Sequence, residues 1–213
     1  MAIARAQARP DLGKLIMVPT AAVLLVCDVV TLGSGGAGGP LRWLGGVLLC
    51  AFYLLVIGCY LRRGPAAATS DSLTAHVAAV TATLAPFAIP LVRGAAPGPG
   101  QQGLADVLLV AGQVWALWSL RFLGRNLSVL AQAREVVDRG PYKWVRHPLY
   151  TGEITAGLGL ALAANSGPAM AVWLGICGLQ AYRELREEQV LLRALPGYRD
   201  YRARTAALLP GVF

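Results

Sequence analysis

Gly140-Pro141-Tyr142-Lys143-Trp144-Val145-Arg146-His147-Pro148-Leu149-Tyr150-Thr151-Gly152-Glu153 is the stretch on which the reading of this chain turns. A basic polar segment ends here and an apolar one begins. Fourteen residues gather cations, an imidazole, two phenols and a carboxylate, and His147 is one of only two histidines in the chain. Pro148 opens an apolar run that lasts to Ala164, so the charged groups sit where a helix starts. Upstream, Arg121, Arg125, Arg134, Arg139, Lys143 and Arg146 share one polar segment, residues 121–147. That is long for a connection between packed helices, and long connections tend to carry function.

Beyond Ala164, Asn165-Ser166-Gly167-Pro168 reads as a tight turn and Ala169 to Tyr182 as another apolar run. Both runs are shorter than the ~20 residues of an ordinary membrane span, and together they predict a helical hairpin. The second passes without a break into Arg183-Glu184-Leu185-Arg186-Glu187-Glu188-Gln189, as a helix does when it leaves a membrane and continues into water. Pro196-Gly197 stops it, a short polar helix with Tyr198 and Tyr201 follows, and Leu208-Leu209-Pro210 comes late in the chain.

The preceding residues repeat one theme. Apolar runs at Leu15–Leu32, Leu41–Leu61, Leu73–Val92 and Leu104–Leu123 are separated by loops rich in Gly, Pro and Ser. Thr69, Ser70 and Ser72 offer capping oxygens to the third run, and Trp115 and Trp118 sit near the end of the fourth, as interfacial aromatics do. The first run follows Arg5, Arg9 and Lys14 and reads as a retained span rather than a signal peptide. The chain is 56% hydrophobic and 14% charged, against about 25% charged for a soluble domain. That much apolar surface needs lipid as solvent. The expected fold is therefore all-α, a polytopic membrane bundle of five to six transmembrane helices with a cytoplasmic cofactor pocket. Residues 1–119 form the scaffold and 120–213 the catalytic region.

The net charge of +8 is not arranged in runs interleaved with aromatics. It predicts contact with a lipid bilayer and no nucleic-acid partner. With the N-terminus inside, only Arg42 and Arg93 of the 19 basic residues fall on the outer side. This puts both termini in the cytoplasm, at what the Ala-, Gly- and Arg-rich composition suggests is a bacterial cytoplasmic membrane. The four cysteines show no CxxC and read as small core hydrophobes, so no metal site is expected. Asp28 and His76 read as interfacial residues.

This topology brings residues 121–153 and 183–204 to one face. Arg183 and Glu187, spaced i, i+4, share a side of their helix, as do Glu184 and Glu188. Tyr150 and Thr151 share a side with His147, while Glu153 points elsewhere. Carboxylates beside Arg, Tyr and helix-start N–H groups suit a zwitterionic ligand.

Gly-Pro-Tyr-x-x-x-Arg-His-Pro-x-Tyr-x-Gly, then Arg-x-x-x-Glu-Glu-x-x-Leu, then Tyr-x-x-Tyr and a late Leu-Pro, resembles the isoprenylcysteine carboxyl methyltransferases. Phospholipid N-methyltransferases and bacterial relatives share a looser form. The likeness covers roughly residues 120–210. It implies S-adenosylmethionine as methyl donor, in a pocket made by Arg134, Glu135, Val136, Val137, Tyr142, His147, Pro148, Leu149 and Tyr150 on one side and Glu187 and Glu188 on the other. It implies that Arg183 is the catalytic residue that meets an acceptor carboxylate, with Arg186 as its competitor in the alignment. Arg134-Glu135-Val136-Val137 stands where the family has His-x-Leu-Val, which weakens the match there.

The implied acceptor is a lipophilic small molecule or a prenylated substrate entering from the membrane. A carboxylate acceptor is already ionised and needs orientation, not a base. An amine acceptor would need His147 or Glu153 to take its proton. An NADPH-dependent membrane reductase of related architecture, and a membrane scaffold without activity, are the readings from other classes.

Overall fold

The computed structural model describes residues 11–34, 39–64, 66, 68–69, 72–130 and 132–208. The expectations resting on Arg5, Arg9, Ser70 and Leu209-Pro210 lie outside them. Seven α-helices follow in order: α1 (Leu12–Gly33), α2 (Pro40–Arg62), α3 (Leu73–Leu84), α4 (Pro99–Leu123), α5 (Pro148–Ala164), α6 (Gly167–Ala194) and α7 (Tyr198–Arg204). Their starts carry chemistry that helix starts need. Asp11, Ser72 and Ser166 each accept a backbone N–H of the first turn, from Lys14, Ala75 and Ala169.

Among the described residues, four segments are long and apolar enough to cross a membrane: Gly13–Gly33, Pro40–Arg62, Leu73–Val92 and Pro99–Asn126. Their outer faces keep Val23, Val26, Leu54, Val77 and Val107 exposed, as lipid-facing positions do. The third is not one α-helix. It tightens at Ala85 into a 3₁₀ helix, Ala85–Val92, because Pro86 and Pro90 have no N–H for an i−4 bond. The α5/α6 hairpin is present. α5, with 17 residues, is about 25 Å long, short of the ~30 Å hydrocarbon core. α6 has 28 residues, and its last third continues beyond the apolar part as the sequence predicts.

α4 and α5 pack closely because small residues line both. A Cβ on Gly152 would lie 2.8 Å from the Ala116 nitrogen, and one on Gly159 2.7 Å from the Leu109 nitrogen. Gly112 and Ala116 thus face Gly152 and Ala156 in the small-xxx-small pattern that lets membrane helices touch backbone to backbone.

The polar segments meet at one end of the bundle. Arg63, buried at the end of α2, pairs with Asp11 before α1 and donates to the Leu127 carbonyl after α4 at 3.1 Å. Ala68–Thr69 pairs antiparallel with Gln132–Ala133, and Val145 bridges Ala206. The 121–147 segment is thereby a structured strap, with 3₁₀ turns at Gly124–Asn126 and Gly140–Lys143.

Candidate functional site

The turn before α5 is anchored first by its backbone. Arg146 N donates to Ala206 O at 2.8 Å, so the residues after α7 clamp the strap from behind. The Arg146 side chain then donates to Glu188 Oε1 at 2.5 Å, to the Arg202 carbonyl at 3.2 Å and to the Thr205 carbonyl. Arg202 Nε reaches the other Glu188 oxygen at 3.0 Å. Burial alone would raise the Glu188 pKa. The close His147 imidazole and the Arg146 guanidinium outweigh it and bring the carboxyl down to about 2.

His147 sits between two carboxylates, with Nδ1 3.7 Å from Glu187 and Nε2 3.5 Å from Glu188. Its ring stacks on Tyr150 with centroids 5.4 Å apart. Tyr150 donates to Glu187 Oε1 at 2.8 Å, and the Arg183 guanidinium lies 4.7 Å over the same phenol ring. The i, i+3 spacing of His147 and Tyr150 and the i, i+4 spacing of Arg183 and Glu187 thus lock into one layer. Arg183 also donates to Gln180 Oε1 at 2.9 Å and to the Val129 carbonyl at 3.3 Å.

A cavity of about 160 Å³ opens over this layer. Arg134, Glu135, Val136, Val137, Tyr142, His147, Leu149, Tyr150, Arg183 and Glu187 all line it. Pro148 and Glu188 are not among its lining residues. Pro148 occupies the first turn of α5, and Glu188 is the counter-charge that fixes Arg146. Glu135 reaches the rim, where it forms an exposed ion pair with Arg125. Arg183, not Arg186, faces the cavity; Arg186 donates to Tyr182 Oη and stacks on that ring.

The cavity also holds residues that motif spacing did not single out. Tyr60 of α2 receives the Val129 N–H at 2.8 Å and carries the strap. Glu153 does not point elsewhere. It lines this cavity and accepts from Gln180 Nε2 at 2.6 Å. Six positions after His147 on a helix is roughly a 600° rotation, which leaves Glu153 far off that residue's face. The cavity, however, meets the face of α5 that carries Leu149 and Tyr150, four and three positions before Glu153, and His147 is the cap ahead of that helix. A carboxylate inside an apolar run was the available signal.

Four buried polar atoms without a partner among the described residues lie on lining residues: Asn126 Oδ1, Arg134 Nη1, Arg183 Nε and Tyr198 Oη, while His147 Nε2 faces Glu188. Native interiors rarely leave such atoms unsatisfied, so these positions call for polar partners from outside the chain. Its donors and acceptors are mixed, which fits a zwitterion.

His147, Glu184 and Glu188 are the one group of three potential metal ligands that converges among the described residues, with ligand atoms within 4.8 Å of one another. Two guanidiniums already neutralise Glu188 there.

A second cavity, about 370 Å³, lies inside the spans and is mostly apolar. It shares Met17, Phe52, Val56, Thr83 and Glu153 with the first. Asp28, which accepts from Cys50 Sγ at 3.1 Å, and Arg42 line it as well.

Residues 101–195 match the family model described as phospholipid methyltransferase. Among curated proteins, the chain is 31% identical over 108 residues to the nickel-cobalt-cadmium resistance protein NccN of Alcaligenes xylosoxydans xylosoxydans, covering 50% of this chain and 47% of that one. It is 32% identical over 104 residues to the cobalt-zinc-cadmium resistance protein CzcN of Cupriavidus metallidurans, covering 48% and 44%. The chain thus matches just under half the length of these relatives. Among solved structures, the eukaryotic intramembrane Ras methyltransferase, isoprenylcysteine carboxyl methyltransferase, superposes with a TM-score of 0.50 at 19% identity, covering 92% of this chain and 76% of that one.

Proposed function

We propose that this chain, whose residues 101–195 carry the phospholipid methyltransferase pattern on the fold of isoprenylcysteine carboxyl methyltransferase, is an integral membrane methyltransferase using S-adenosylmethionine. The observation that carries the reading is the set of four unpartnered buried polar atoms on residues around one cavity at the polar end of the bundle.

The bound cofactor would supply a methyl group already activated on a sulfonium. The chain would supply the rest. Glu187, held by Tyr150, would accept N–H or O–H donors of the ligand. Arg134 Nη1 would offer a charged donor at the strap side, and Val136, Val137 and Leu149 would cover apolar edges. His147 and Tyr142 would wall the cavity behind the stacked Tyr150 ring. Arg183 would face the acceptor, with Nε–H as the donor of its guanidinium left without a partner.

The acceptor would be a lipophilic or prenylated molecule whose apolar part lies in the second cavity, entering from the bilayer. Since the two cavities share five residues, the two ligands would meet near Glu153. A carboxylate acceptor, as the resemblance implies, rests on Arg183 alone. Residues 1–119 would serve mainly as the acceptor's housing and 120–213 as the cofactor's. The excess of basic residues at the pocket end favours a cytoplasmic pocket in a bacterial cytoplasmic membrane.

Calorimetry of the purified protein in lipid nanodiscs tests the reading. S-adenosylmethionine is expected to bind, and Glu187→Gln to weaken it at least tenfold. NADPH binding in its place would turn the reading into a reductase. Binding of neither by folded protein would leave a scaffold.

A further inference from the structure

We infer that Glu153 is a general base in this site, held in place by Gln180, and that the acceptor is a nucleophile still carrying a proton on nitrogen or sulfur. The inference rests on the methyltransferase reading above. Glu153 is the only titratable residue among the five that line both cavities. It therefore stands where a cofactor in one and an apolar acceptor in the other would meet. Gln180, buried in α6, donates to Glu153 Oε2 at 2.6 Å and accepts from Arg183 Nη1 at 2.9 Å. The amide is thereby fixed in orientation from both ends. Glu153 Oε1 has no hydrogen-bond partner among the described residues, so one carboxylate oxygen is pinned and one is free.

Charge decides against a second carboxylate here. Arg183 is shared between Glu153, reached through Gln180, and Glu187, reached through Tyr150. Each side of the guanidinium already has an anion. An acceptor carboxylate placed at the junction would face Glu153 directly, and two carboxylates that close in a buried site cannot both stay ionised. An N–H or S–H group instead meets a free oxygen at the place where its proton must go.

The step balances as follows. The acceptor gives its N–H or S–H proton to Glu153. Its lone pair forms the new bond to the methyl carbon. The carbon–sulfur bond of the sulfonium donor breaks, and its electron pair stays on sulfur as a neutral thioether. Glu153 then returns its proton to solvent. General-base assistance of this kind contributes about 10²- to 10⁴-fold.

The experiment uses the full chain in nanodiscs with S-adenosylmethionine and three probes sharing one tail: dodecylamine, dodecanethiol and dodecanoate. Transfer to the amine or the thiol is expected to exceed transfer to dodecanoate at least tenfold. Glu153→Gln is expected to lower it about 100-fold or more, with the cofactor dissociation constant unchanged within threefold, which also shows the variant folded. Its residual rate should rise about tenfold per pH unit, since solvent hydroxide replaces the base. The other groups facing Glu153 are Arg183 and Glu187 on α6, Tyr150 on its own helix and Tyr142 in the strap. On the remaining helices Met17, Phe52, Val56 and Thr83 carry no charge, while Asp28 of α1 and Arg42 and Tyr60 of α2 line the cavities that Glu153 shares.

Calorimetric binding gives a readout apart from turnover. Dodecylamine is expected to bind the wild type at least tenfold tighter than dodecanoate, and Glu153→Gln to erase that preference. Gln180→Leu is expected to lower turnover while leaving cofactor affinity alone. Preferred binding or methylation of dodecanoate, or a Glu153→Gln variant of normal activity, overturns the base while the methyltransferase reading stands. A wild type that binds no S-adenosylmethionine removes both.

Discussion

The two halves of this molecule hold together by different means. α1 to α3 carry few polar contacts and keep many Val and Leu side chains exposed. From α4 onward, buried arginines, carboxylates and carbonyls form a connected network at one end. Lipid accepts any apolar side chain, so the first half is constrained in hydropathy and cavity shape but hardly in identity. A buried charge accepts only particular partners, so the second half is constrained residue by residue. The matched family region, 101–195, falls in that second half.

The strongest way to break the comparison is to remove a charge from the network. Arg146→Ala leaves Glu188 buried beside His147 and deprives the Thr205 carbonyl of its donor. A loss of roughly 3–5 kcal/mol is expected, the usual result of stripping one partner from a buried ion pair. Denaturation in mild detergent, followed by intrinsic tryptophan fluorescence, would measure it. A loss below about 1 kcal/mol would mean the network is no more binding than a surface pair.

Close packing comes next. Gly152→Val forces a branched side chain against the Ala116 and Gly112 backbones. Overpacking of this kind costs about 1–3 kcal/mol, and more where backbone cannot move. The same change at Gly58, where an added Cβ meets nothing within 4 Å, is expected to be nearly neutral. Equal melting temperatures for the two variants would show that α4 and α5 do not touch as described.

Acid tests the network without mutation. The Glu188 carboxyl titrates near 2 in the folded chain against 4.5 unperturbed. A depressed folded value stabilises above the unfolded value, so the contribution is full above about pH 4.5. It fades as pH falls towards 2, where both states are protonated. Allowing for partial solvent access through Arg202, about 2 kcal/mol is at stake. Glu188→Gln should lose most of this difference between pH 5 and pH 2.5.

These contrasts explain what the sequence could and could not say. The hairpin, the helix that runs on into water and the shared face of His147, Tyr150, Arg183 and Glu187 were legible. Each follows from helical spacing or from a sharp change in polarity. The 3₁₀ continuation of α3 was marked by Pro86 and Pro90, yet hydropathy alone counts it as one span. Glu153 and Gln180 were not legible as a pair. They lie on different helices of the hairpin, and only the packing angle of α5 on α6 brings them to 2.6 Å. Tyr60 was hidden for the same reason, in a run of apolar residues where its hydroxyl gave no sign of the Val129 N–H it would meet. Periodicity reports a helix's own faces; which cavity a face meets is a tertiary fact.

The smallest effect expected is also the sharpest test of the contrast. Tyr150→Phe removes one hydroxyl, the donor to Glu187, and keeps the ring stacked on His147 and under Arg183. A hydrogen bond to a charged group is worth about 1.5 kcal/mol, so cofactor affinity is expected to fall roughly tenfold with stability changed by less. Val26→Leu on the exposed face of α1 also changes one side chain by a small volume, yet it is expected to move neither affinity nor stability by more than about 0.5 kcal/mol. If the two substitutions cost the same, the polar layer is not selective for its members, and the division between a half constrained by lipid and a half constrained by partners fails at the residue that should show it best.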